Sequence, residues 1–245
     1  MRIAISGSAC QGKTTLINDF IKNWPKYTRS VESYRDLIKK EKIGINKNVS
    51  ADGQYKILNC LIDDLQNTTK GDKILFDRCP LDNIVYSLWS LDKQSSDIDK
   101  KFIDKCIPLV KESMKHLDII FYTPITRAAP IEISSKDTRE IDKQYIEEID
   151  NIFKAITYQM VKVGRSPFFP EEDFPPIIEI FGSPEERIEM IKLYLDEQGD
   201  LINNEESVLD PKNLDDMQQL LEAQQKIKQD DDVVTRLKKK FLLDK

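Results

Sequence analysis

Short, predominantly apolar runs alternate along this chain with longer stretches whose apolar residues recur every three or four positions. The clear runs are residues 3–6, 73–77, 117–122 and 177–181, with a weaker one at 27–31. A strand that is apolar on both faces belongs in a parallel sheet with helices packed on either side. The periodic stretches supply those helices. The first, from Thr14, sets Leu16, Ile17, Phe20, Ile21 and Trp24 on one face and is stopped by Pro25. The second, capped by Ser50 or Asp52, carries Tyr55, Leu58, Leu61, Ile62 and Leu65 at helical spacing. Further helices follow Pro80, run over about 99–115 and about 142–163, and begin after Ser183, with Pro184 at the first helical position. The pattern predicts an α/β fold, a three-layer sandwich around a mainly parallel five-stranded sheet. Strand order is left open, though right-handed crossovers restrict it.

The pattern changes after Gly199, which divides the chain into a domain over 1–198 and a helical C-terminal extension over 199–245. In the extension, Met217, Leu220, Leu221, Gln224 and Ile227 line one face of a predicted helix. A second helix, over 233–243, is basic around Lys238, Lys239 and Lys240. Self-association or partner binding through these helices, folding back on the parent domain, and a solvated tail all stay open.

Composition narrows the class. The 245 residues are 40% hydrophobic and 33% charged, enough for a core under a well-hydrated surface. A net charge of −6 argues against a surface that coats nucleic acid, although a local basic groove would be compatible with it. No apolar run reaches membrane-spanning length, and since a strand is expected from the first residues on, no secretory leader is expected. Cys10, Cys60, Cys79 and Cys106 are scattered and read as reduced thiols, so the expected location is cytoplasmic. The single histidine, His116, excludes a histidine-rich metal site.

The chemistry begins at residues 7–14, Gly-Ser-Ala-Cys-Gln-Gly-Lys-Thr, between the first strand and the first helix. This is the G-x-x-x-x-G-K-T phosphate loop. Gly7, Ser8, Ala9, Cys10, Gln11 and Gly12 turn main-chain N–H groups onto a polyphosphate, and Thr15 continues into a helix whose N-terminus faces the anion. Lys13 brings a mobile cation to the outer phosphates, and the Thr14 hydroxyl is a hard ligand suited to Mg²⁺. The loop therefore predicts a nucleoside triphosphate with Mg²⁺, and since the chain has no Asn-Lys-x-Asp guanine-reading element the expected ligands are ATP and Mg²⁺.

Other motifs must say what is done with the nucleotide. Asp77 ends an apolar strand, where a carboxylate points into the ligand crevice of an α/β sheet and reaches the metal or an attacking hydroxyl. Arg78 beside it can pair with an anionic group. Glu32 and Arg35, three apart, would set a base and a cation on the acceptor side; the alternative is a surface ion pair worth under about 1 kcal/mol. Arg139, with Lys136 and Arg127, lies in a polar stretch that can close over the phosphates as a lid. Gln54, Tyr34, Tyr86 and Trp89 are candidates for reading or stacking on a base, with a core role equally open for Tyr86 and Trp89. The turn 181–187 is a candidate to meet the adenine edge with its backbone, with plain strand-to-helix turn chemistry as the alternative.

Gly7 to Thr14, Glu32-x-x-Arg35, Asp77-Arg78-Cys79-Pro80 and Gly182-Ser183-x-Glu185-Glu186-Arg187 together resemble the P-loop nucleoside and nucleotide kinases. The branch is the one that includes nicotinamide riboside kinase domains and related small AAA-type ATPase domains. The resemblance covers residues 1–198. It implies a small nucleoside or nucleotide as phosphate acceptor, with Glu32 as the base on its hydroxyl and Lys13, Asp77 and Arg139 as the other catalytic residues. Thr14 and Asp77 would hold the metal, and Arg35, Arg78 and Gln54 would grip the acceptor. In the deoxynucleoside kinases a serine stands where this chain has Cys79, and their lids carry more arginines. Two other functions are compatible with the sequence. One is a kinase acting on a modified base in DNA, disfavoured by the acidic balance. The other is an ATPase switch working through the C-terminal helices.

Overall fold

The computed structural model describes residues 1–31, 33–126, 142–160 and 166–202. Five strands, β1 (Arg2–Ser6), β2 (Thr28–Arg29), β3 (Ile74–Asp77), β4 (Ile119–Tyr122) and β5 (Ile177–Glu179), form one sheet in the order β2-β3-β1-β4-β5. Every pairing is parallel. The helices between them are α1 (Lys13–Asn23), α2 (Ser33–Glu41), α3 (Ala51–Gln66), α4 (Pro80–Lys93), α5 (Lys100–Ser113), α6 (Lys143–Tyr158) and α7 (Pro184–Ile191).

The three central strands are apolar because both of their faces are covered. All five residues of β1 and all four of β4 are buried. The edge strands are shorter than their apolar runs, since each has a partner on one side only: β2 keeps two residues and β5 three. Register aligns Ile5 with Asp77 and Ser6 with Tyr122, so the C-terminal ends of β1, β3 and β4 emerge side by side. This is the edge at which open parallel sheets bind ligands.

Helix α2 departs most from the sequence pattern. Only Tyr34 and Ile38 give it an apolar stripe, which packs on Ile57 and Leu61 of α3 in a small cluster. The main core contains Trp89, Tyr122, Phe153 and Phe169. Tyr122 and Phe153 stack at 5.4 Å, and Trp89 meets Tyr145 edge-on at 4.6 Å while donating to Glu148. Trp89 is thus a core residue.

Caps follow the sequence signals. Ser50 caps α3 by accepting from the Gly53 N–H. At α7, Ser183 and Glu186 each accept from the other's main-chain N–H, a reciprocal capping box. Ser50→Ala is expected to cost about 1 kcal/mol in urea unfolding, because it orphans one first-turn donor on an exposed helix end.

Two compact units divide the chain: Met1–Ile191 with Glu197–Gly199, and Lys192–Asp196 with Asp200–Lys245. In the second, Leu195 and Leu201 form an antiparallel bridge. The helices expected at 213–230 and 233–243 lie outside the described residues. Among the described residues, no helix is long and apolar enough to cross a membrane.

Candidate functional site

The phosphate loop leaves the end of β1 through backbone that few side chains tolerate. Gly7 has φ +141°, and a Cβ there would lie 2.5 Å from the Thr123 hydroxyl and 2.8 Å from its carbonyl oxygen. Cys10 and Gly12 follow at φ 60° and 69°, so the loop turns twice through left-handed geometry before α1 begins. No side chain caps α1 at Gly12, which leaves its first-turn N–H groups for an anion.

Lys13 folds back onto its own loop. Its Nζ donates to the Gly7 and Ser8 carbonyls at 2.9 and 2.5 Å, and the side chain is buried. Burial, and after it the nearby Arg78 charge, lower its pKa to about 7, against the opposing pull of Asp82 and Asp77. Lys13 is therefore poorly solvated and holds its proton less firmly than an exposed lysine.

Asp77, the last residue of β3, and Asp82, in the first turn of α4, divide two tasks. Asp77 Oδ2 accepts from Arg35 at 2.8 Å and Arg29 at 3.0 Å, with its own side chain 1% exposed. Asp82 is the carboxylate that holds the loop. It accepts from Ser6 Oγ at 2.8 Å, the Cys79 N–H at 3.0 Å and Arg78 Nη1 at 3.0 Å, with a longer contact from the Gly7 N–H. Between them Arg78 sits at φ 83°, an uncommon conformation for a residue with a side chain, and its guanidinium lies over Tyr86 at 5.2 Å. Cys79 fills the cap position of α4; burial pushes its thiol up to about 12, which makes it inert.

A cavity of about 680 Å³ opens beside the loop, lined by Ala9, Cys10, Arg35, Arg78, Asp82 and the aromatic rings of Tyr34, Tyr86 and Tyr145, among others. Gln54 and Asn83, both about 5% exposed or less, form its polar wall. Asn83 Nδ2 donates to the Gln54 carbonyl at 3.1 Å and to Gln54 Oε1 at 2.6 Å. The main-chain acceptor fixes which way the Asn83 amide points. Among the described residues, Asn83 Oδ1 and the Tyr145 hydroxyl are buried with no hydrogen-bond partner. Across the mouth, Lys47 pairs with Asp142, the N-cap of α6.

Of the residues singled out from sequence, Gly7 to Thr15, Gln54, Arg78 and Arg35 are brought to this one edge, and Asp77 joins them through Arg35. Tyr34 and Tyr86 line the cavity. Glu32, Arg127, Lys136 and Arg139 lie outside the described residues. Asp82, Asn83, Arg29 and Tyr145 were not picked out. Asp82 did have a signal: Cys79-Pro-Leu-Asp82 has capping-box spacing with proline at the first helical position.

A family model described as AAA domain matches residues 2–164, and the chain belongs to that family. No curated protein sequence matches it. Among solved structures, the chain is similar to deoxyadenosine kinase from M. mycoides with dCMP and dCDP bound, at 19% identity and TM-score 0.52, over 78% of this chain and 96% of that one. It is also similar to NadR in complex with NR, at 18% identity and TM-score 0.54, over 83% of this chain but only 53% of that protein. A further structure of the M. mycoides enzyme holds dATP, at 20% identity and TM-score 0.51, over 78% and 97% of the two chains. The fold is that of a P-loop nucleoside kinase-like domain.

Proposed function

We propose that this protein is an ATP-dependent phosphotransferase whose acceptor is the hydroxyl of a nucleoside or nucleotide bound in the cavity beside the loop. One observation carries the reading: Ala9 and Cys10 of the phosphate loop line the same cavity as the Gln54–Asn83 pair. A switch ATPase needs the loop but has no need of a buried amide pair facing it. With the Asn83 amide nitrogen committed to Gln54, the wall offers an acceptor from Asn83 Oδ1 and a donor from Gln54 Nε2. A nucleobase or carboxamide edge is complementary to that pair, and the tyrosines supply stacking surface.

In the reaction, the acceptor oxygen bonds to the γ-phosphorus, the bond to the bridging oxygen breaks and ADP leaves. The hydroxyl proton passes to a carboxylate, Glu32 or Asp77. Lys13 follows the charge from its resting carbonyls to the transferring phosphoryl group, and Arg139 would close over it. Thr14 and Asp77 offer hard oxygen donors of the kind Mg²⁺ takes, and they would hold it. When bound, the ion would supply charge neutralisation on the phosphates. Arg29 and Arg35 hold the Asp77 carboxylate in place and aim it.

The test is transfer of label from ATP to a panel of nucleosides, nucleoside monophosphates, nicotinamide riboside and oligonucleotides. Label is expected on one small-molecule class, and Asn83→Leu is expected to raise the acceptor KM by about tenfold or more, since it leaves Gln54 unpaired as well. Consumption of ATP at one rate whatever acceptor is present would replace the kinase with a switch, and label on oligonucleotide alone would move the acceptor to DNA.

A further inference from the structure

Arg187 has no part in the chemistry described so far. It is 4% exposed, lies in the first turn of α7, and reaches two main-chain carbonyls. Nε donates to Gly182 at 3.0 Å, and Nη1 donates to Gln11 at 2.7 Å, across 176 residues of sequence. Among the described residues no carboxylate pairs with it. Burial correspondingly works against its charge, lowering its pKa. A buried guanidinium held only by carbonyls is an expensive way to fasten a helix, since an apolar side chain would pack there without the desolvation cost.

Its two partners explain the choice. Gln11 belongs to the loop that would cradle the phosphates, and Gly182 begins the turn after β5, at the ligand-binding edge of the sheet. Gly182 sits at φ +95°, which a residue with a side chain rarely adopts, and a Cβ there would crowd the Glu186 side chain. The planar fork of one guanidinium spans both, which a single ammonium does not.

We propose that Arg187 is a positioning residue for the donor nucleotide: it sets the distance between the phosphate cradle and the turn against which the donor base rests. This inference depends on the reading of the loop as a nucleotide site, and not on the identity of the acceptor. A nucleotide touches both ends of the span, whereas inorganic pyrophosphate touches only the cradle. The geometry therefore separates positioning from plain structural support.

Calorimetric titration of ADP and of pyrophosphate into the wild-type protein, Arg187→Met and Arg187→Lys gives the test. Arg187→Met is expected to weaken ADP by tenfold or more and pyrophosphate by less than threefold. ATP KM should rise with the ADP constant, while acceptor KM stays within twofold. Arg187→Lys keeps the charge without the fork and should show the same split between ADP and pyrophosphate, and it carries the comparison alone if the methionine variant does not fold. Equal weakening of ADP and pyrophosphate, or no change in either, overturns the inference. Failure of the wild-type protein to bind either ligand would instead remove the nucleotide-site reading itself.

Discussion

Lys13→Met is expected to lower phosphoryl transfer by at least about 10²–10³-fold while leaving the free protein no less stable at neutral pH. The loss follows from removing a preorganised cation from the transferring group, where each such donor is worth about that factor. The retained stability follows from the cost of the native lysine. Its ammonium is buried on the Gly7 and Ser8 carbonyls with its pKa lowered to about 7, so folding a charged Lys13 works against its own hydration.

The sign can be followed through pH. Between about pH 7 and the ordinary lysine value of 10.5, the unfolded chain holds a proton that folded Lys13 has released. Stability therefore rises with pH across that window, and below pH 7, where both states are protonated, the full penalty stands. Urea unfolding from pH 6 to 10 should show this slope in the wild-type protein and a shallower one in Lys13→Met. A polyphosphate reverses the balance, because it favours the charged lysine. Nucleotide binding at pH 8 should then take up about one proton, read by calorimetry in buffers of different ionisation heat. Binding with no proton uptake, or uptake that survives Lys13→Met, would show that the lysine is charged before nucleotide arrives.

How much of this was readable from the chain divides along physical lines. β1, β3 and β4 were plain because a strand buried on both faces must be apolar throughout, and the loop was plain because its eight positions are contiguous. Helix α2 was obscure because it needs only Tyr34 and Ile38 to attach to α3. The strand order had no local signal, since it depends on which crossovers pack. Partners far apart in sequence were the least legible part of the site. Arg29 reaches Asp77 across 48 residues, and Gln54 reaches Asn83 across 29. Neither Arg29 nor Asn83 is distinguished by its neighbours. Arg187 was visible only as part of a turn, because its meaning lies in Gln11, at the other end of the chain.

Asp82→Ala is expected to cost about 3–5 kcal/mol, the effect of removing one partner of a buried charge pair and leaving the other behind. Asp82 is 1% exposed, and its loss strands Arg78 together with the Ser6 hydroxyl and the Cys79 N–H. Asp82→Asn should be a poor rescue. Both carboxylate oxygens face N–H donors, so either orientation of the amide sets an N–H against an N–H. Asp77→Asn should cost less, because Arg29 and Arg35 are 32% and 38% exposed and can turn to water. Urea unfolding of the three variants at 25 °C orders them, and an Asp82→Ala loss below about 1 kcal/mol would deny Asp82 its place in the fold. The same residue ties the stability of the domain to its ligand. Through Ser6 and Gly7 the first turn of α4 holds the entrance to the phosphate loop, a link between residues 75 and more apart in sequence. Lost stability in Asp82→Ala should therefore be accompanied by weaker binding of ADP, and, if Gly7 is the point of transmission, by weaker binding of pyrophosphate to the same degree.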